Sequence, residues 1–124
     1  MAASFGAFRR HAASLPGSTR DIKWGADECY CVGARMFAVF GMEGVEERGM
    51  SIKVDAGRFL ELTDIDGIVP APYLARARWV KFARADALPA ADVKHLISRS
   101  HSLIAARLTR AVRETLLDAT SRNP

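Results

Sequence analysis

The chain has 124 residues, 49% hydrophobic and 26% charged, with 2 Cys, a formal charge of +4 and a pI near 9.5. That length suits one core, and the near-average composition excludes disordered, collagen-like and disulfide-scaffold classes. No apolar run nears the roughly 18 residues that would cross a bilayer, and Arg9, Arg10 and His11 interrupt any signal-peptide core, so the expectation is a cytoplasmic protein with no membrane partner.

In chain order, Phe5, Phe8, Ala12 and Leu15 fall at helical spacing, which predicts a helix over residues 4–15. The Pro16-Gly17-Ser18 cluster stops it, and a short extended piece follows at 22–24. Two β-prone runs, 28–32 and 35–40, flank Gly33-Ala34, which predicts a hairpin closed by a type II′ turn. That turn pairs Val32 with Arg35, Cys31 with Met36, Tyr30 with Phe37 and Cys29 with Ala38. Cys29, Cys31, Met36, Ala38 and Phe40 then form a core face, and Glu28, Tyr30, Val32, Arg35, Phe37 and Val39 point the other way.

The Gly-rich stretch 41–49, acidic through Glu43, Glu46 and Glu47, reads as an exposed loop. Alternation of Met50, Ile52 and Val54 against Ser51 and Lys53 predicts a half-buried strand, and Asp55 is placed to cap a helix reaching about Thr63. Residues 64–78, with Gly67, Pro70 and Pro72, read as loop. Residues 79–83 form another strand, with Val80 and Phe82 inward and Trp79 and Lys81 outward. A long helix starts at Pro89 on a stripe of Val93, Leu96, Ile97, Leu103, Ile104 and Leu108, and is read onward through Val112 to Leu117, with a frayed tail at 120–124. The order α-β-β-β-β-α-β-α is an α+β layout, a two-layer arrangement of an antiparallel sheet with helices packed on it.

Leu15-Pro16-Gly17, Trp24-Gly25, Val32-Gly33 with Arg35-Met36-Phe37-Ala38, Ser51-Ile52-Lys53 and Arg78-Trp79-Val80 occur in an order and spacing that resemble the MmcQ/YjbR family. The resemblance covers about residues 5–108 and places 1–124 in a single domain of this kind, with 109–124 as a helical extension and tail. It implies a fold similar to secretion-chaperone-like proteins and a DNA-binding role through a double-wing arrangement. The segment Pro70-Ala71-Pro72-Tyr73-Leu74 departs from the Gly-Tyr-His-like stretch usual before the last strand.

The charge is asymmetric. Residues 1–62 carry 8 Lys+Arg against 8 Asp+Glu, and residues 63–124 carry 10 against 6, so the second half holds the whole excess. Arg76, Arg78, Lys81 and Arg84 lie in nine residues without an acid, and Arg99, Arg107, Arg110 and Arg113 fall within about a third of the circumference of one continuous helix. Arg is suited to forked phosphate contacts. Trp79, Tyr30 and Phe37 interleaved with Lys53, Lys81 and Arg35 on an outward sheet face would suit base stacking beside phosphate contact. The competing readings are a helix or second subunit covering that face, and a solvated helix face whose Arg stems cover core.

The expected nucleic-acid-binding residues are Arg76, Arg78, Lys81, Arg84, Lys53, Trp79, Arg99, Arg107 and Arg110. Cys29 and Cys31, two apart on one strand, suit neither a disulfide nor a structural zinc set and read as small buried hydrophobes. No phosphate loop, GxGxxG or HExxH occurs, and the histidines form no catalytic spacing, so neither a cofactor, a metal nor an enzyme activity is expected. Two functions stand: DNA binding without catalysis, and a protein-interaction or chaperone-like module that uses the open sheet face or the C-terminal helix to bind a partner protein or form a homodimer.

Overall fold

The computed structural model describes residues 3–23, 27–41, 49–72 and 74–121, with 116–121 described by backbone alone. The expectations for Trp24-Gly25, for most of the acidic loop, for Tyr73 and for the end of the tail lie outside the described residues.

Helix α1 (Phe5–Ser14) begins where Ser4 Oγ accepts a hydrogen bond from the Ala7 amide at 3.0 Å. It buries Phe8 and Ala12 and ends before Pro16. The chain then runs through β1 (Ser18–Lys23), β2 (Asp27–Val32), β3 (Arg35–Gly41) and β4 (Met50–Lys53). A 3-10 turn at Ala56–Arg58 leads into the short α2 (Phe59–Thr63), followed by β5 (Ile68–Pro70), a second 3-10 turn at Ala75–Ala77, and β6 (Trp79–Phe82). Helices α3 (Ala90–Ala105) and α4 (Arg110–Ser121) close the described chain. Among the described residues no helix is long and apolar enough to cross a membrane.

The six strands form one antiparallel sheet in the order β1-β2-β3-β4-β6-β5. Helices α1 and α3 cover one face, and the α+β architecture is the one expected from the sequence. Tyr30, Ala38, Phe40, Met50, Ile52, Val80 and Phe82 pack there against Phe8, Val93, Leu96 and Ile97.

The sheet departs from the expected hairpin in two ways. Gly33 and Ala34 both have positive φ, 57° and 67°, which is the pattern of a type I′ turn and not type II′. The register also shifts between Tyr30 and Cys31: Cys31 still faces Met36, but Tyr30 faces Ala38 and Cys29 faces Val39. Phe37 is thus an extra residue, a β-bulge. Below the bulge the pairing slips by one, so Tyr30 shares the helix-covered face with Ala38 and Phe40, while Cys29 shares the open face with Val39. Tyr30 (5% exposed) and Phe37 (0%) are therefore core residues, with Tyr30 edge-on to Phe40 and Phe37 edge-on to His101.

Three further expectations are corrected. The stretch read as loop at 64–78 contains β5, whose Pro70 is tolerated because this strand lies at the sheet edge. Asp55 does not cap a helix through its side chain, and its carboxylate instead holds Arg99 in a bidentate pair. The long C-terminal helix breaks: α3 stops at Ala105 and α4 starts at Arg110, so Arg99, Arg107, Arg110 and Arg113 do not form one stripe. Leu108, in the break, packs against the hairpin tip so closely that a Cβ on Gly33 would lie 2.6 Å from Leu108 Cδ2.

Candidate nucleic-acid interface

Of the expected cations, three are held by carboxylates, two stand apart and three converge. Arg84 is held by Asp66 and Asp86 at 3.0 and 2.9 Å, Arg99 by Asp55 at 2.9 Å, and Arg110 by Glu114 at 3.0 Å. Each of these charges is locally neutralised. Arg76 is exposed on the 3-10 turn before β6. Lys81 is half-buried on the open face, in a small cavity of about 150 Å³ that Asp27 and Ser51 also line.

The remaining three converge. Lys53 and Trp79 are opposite one another at the ends of β4 and β6, and Lys53 Nζ donates to the carbonyl of Ala77. Arg78 sits in the left-handed region (φ 64°), where the chain leaves the 3-10 turn for β6. Its carbonyl accepts from the Val54 amide at 2.8 Å, and its guanidinium lies 5.7 Å from the Phe59 ring centre. Arg107 follows α3, and docking of Leu108 on the hairpin tip brings it to Arg35. A cavity of about 430 Å³ is lined by Arg107, Arg35, Lys23, Met36, Leu74, Trp79, Ala34 and Ile104, with no carboxylate among them. Burial, and after it the charges of Arg107 and Arg78, lower the Lys53 pKa. Lys23 is bridged to Asp21 at 3.3 Å, whereas among the described residues Arg35, Lys53, Arg78 and Arg107 form no ion pair.

Trp79 does point to the open face, as its strand alternation requires, yet it is only 5% exposed. The stacking platform expected from Trp79, Tyr30 and Phe37 is therefore absent: two of these rings lie under the helices, and the third is buried beside a cavity that Leu74 and Ile104 also line. The open face carries a different feature. Met36, Val39, Ser51, Ala71, Pro72, Leu74 and Asp27 line a mainly apolar recess of about 550 Å³. Sequence reasoning named Arg35 as an outward cation beside Lys53 and Lys81, and the structure brings it to the cationic cavity; it did not single out Lys23, which lines the same cavity while bridged to Asp21.

Cys29 and Cys31 are buried free thiols. Burial, and then the neighbouring Cys31, push the Cys29 pKa up to about 11, and burial raises that of Cys31, so both are protonated at neutral pH.

No match was found among curated proteins. Among solved structures the chain is similar to the Deinococcus radiodurans protein DR2400, a crystal structure described as a DUF419 domain. The two share 26% identity over 92% of this chain and 88% of that one, with a TM-score of 0.79. The sequence model of the YjbR family matches residues 13–103, which takes in the whole sheet and most of α3. The chain belongs to the YjbR family.

Proposed function

We propose that this chain binds nucleic acid without catalysing a reaction, and that Lys53, Arg78 and Arg107, joined by Arg35, form its phosphate-contacting surface. The observation that carries the reading is the convergence of these cations around the Trp79 end of the open sheet face. Like charges gathered at a surface cost stability unless a polyanion offsets them, and the phosphate backbone is such a partner. Arg84, Arg99 and Arg110, each satisfied by a carboxylate, contribute little. Fluorescence anisotropy with labelled DNA and RNA tests the reading. Binding at about 50 mM salt that weakens steeply by about 200 mM is expected, and no binding at the lower salt overturns it.

The second reading, a protein-interaction module, draws on another observation. Leu60 (79% exposed) and Val69 (44%) lie on α2 and β5, which pack together, and they leave apolar surface in solvent. A dimer that persists at high salt in light scattering would favour this reading, and a strict monomer would count against its self-associating form.

A further inference from the structure

We infer that the apolar recess of the open face takes an unpaired nucleobase, so that the chain prefers single-stranded to duplex nucleic acid; this rests on the nucleic-acid reading above. The open-face recess, about 550 Å³, and the cationic cavity beside the hairpin tip, about 430 Å³, share Met36 and Leu74 as a common wall. On one side of that wall lie Val39, Ala71 and Pro72, with Ser51 and the Asp27 carboxylate at the same recess and no cation. On the other lie Arg35 and Arg107. Apolar volume and cationic rim are therefore separated by the width of a side chain. A nucleotide has the same division, with a flat apolar base on one side and a phosphate on the other.

A duplex can offer this surface only its phosphates, because its bases stay stacked and paired. An unpaired strand can turn a base away from its backbone and seat it in an apolar pocket while the adjoining phosphate meets a guanidinium. A purely apolar peptide would fill the recess and leave the cations unmatched. Charge complementarity thus selects the single strand.

The test compares three labelled probes of one length by anisotropy at about 50 mM salt: an oligothymidine strand, a duplex, and the strand with abasic sites. The intact strand is expected to bind about tenfold more tightly than the duplex, with the abasic strand falling to the duplex level. Met36→Ala and Leu74→Ala are expected to abolish the preference for the strand over the duplex. Because either variant could loosen the sheet, the wild-type chain is also crosslinked to a 4-thiothymidine strand, and crosslinks at Met36, Leu74 or Pro72 are expected. Equal binding of strand and duplex, or crosslinks confined outside the recess, overturns the inference and leaves the nucleic-acid reading standing. Failure of all three probes to bind overturns both and transfers the recess to a protein partner.

Discussion

Ser100 Oγ donates to the Phe37 carbonyl at 2.6 Å, tying helix α3 to the bulged residue of the sheet. The same oxygen accepts from the Lys53 amide at 3.0 Å, and Ser100 is fully buried. The bulge leaves backbone groups of two neighbouring strands without ladder partners, and one hydroxyl satisfies both. It thereby fixes the backbone of Lys53, a member of the cationic cluster.

Ser100→Ala removes that partner without adding bulk. The expected loss is about 1–3 kcal/mol in urea unfolding, the usual cost of stranding buried polar groups. A loss near zero would mean that the bulge does not depend on the hydroxyl.

Arg78 is one of two non-glycine residues with positive φ among the described residues, and it belongs to the cluster. Arg78→Gly relieves a backbone cost of about 1 kcal/mol, roughly offset by the entropy glycine loses on folding. Stability should stay within about 0.5 kcal/mol, while nucleic-acid affinity falls and the salt slope drops by about 1. Unchanged affinity in a folded variant would remove Arg78 from the interface.

His11 shares a 2.8 Å hydrogen bond with Ser98, and burial, followed by the Lys94 charge, lowers its pKa below 6.5. The unfolded chain therefore takes up a proton first as pH falls through 6.5, and the stability of the neutral, folded form is lost from there down to the lowered pKa. Melting temperature should decline as pH falls from about 7.5 towards 5.5. His11→Gln should flatten that decline, and a variant with the same slope as wild type would assign it to another group.

Cys29 and Cys31 should resist alkylation. With the Cys29 thiol pushed up to about 11 and both side chains buried, iodoacetamide should label the native chain at least about tenfold more slowly than the urea-unfolded chain. Equal rates would show that the open face admits reagent to this edge.

Local chemistry made much of the fold legible. The Gly33-Ala34 turn and the alternation at 50–54 and 79–82 placed the four central strands, because turn chemistry and period-two burial are short-range signals. The bulge at Phe37 was not legible, since Ser100 stabilises it from 63 residues away. That single extra residue moved Tyr30 and Phe37 from an expected binding surface into the core. β5 was hidden because Pro70 argues against a strand unless the strand is known to lie at an edge.

The candidate site was legible only as a charge excess. Sequence proximity grouped Arg76, Arg78, Lys81 and Arg84, yet the pairing that decides which charges remain available is long-range. Arg99 meets Asp55 across 44 residues, and Arg84 meets Asp66 across 18. Arg35 and Arg107 meet at a cavity beside the hairpin tip on which Leu108 docks, an arrangement that a charge count does not contain.

The most direct test of the cluster compares salt-dependent DNA binding of two double variants, Arg35→Ala with Arg107→Ala and Arg84→Ala with Arg99→Ala, each removing two charges. Equal loss of net charge predicts equal weakening if only the overall +4 matters. The clustered geometry predicts that the first pair weakens binding at least about tenfold and lowers the salt slope by about 2, while the second stays near wild type. Equal effects, or a larger effect from the second pair, would contradict it.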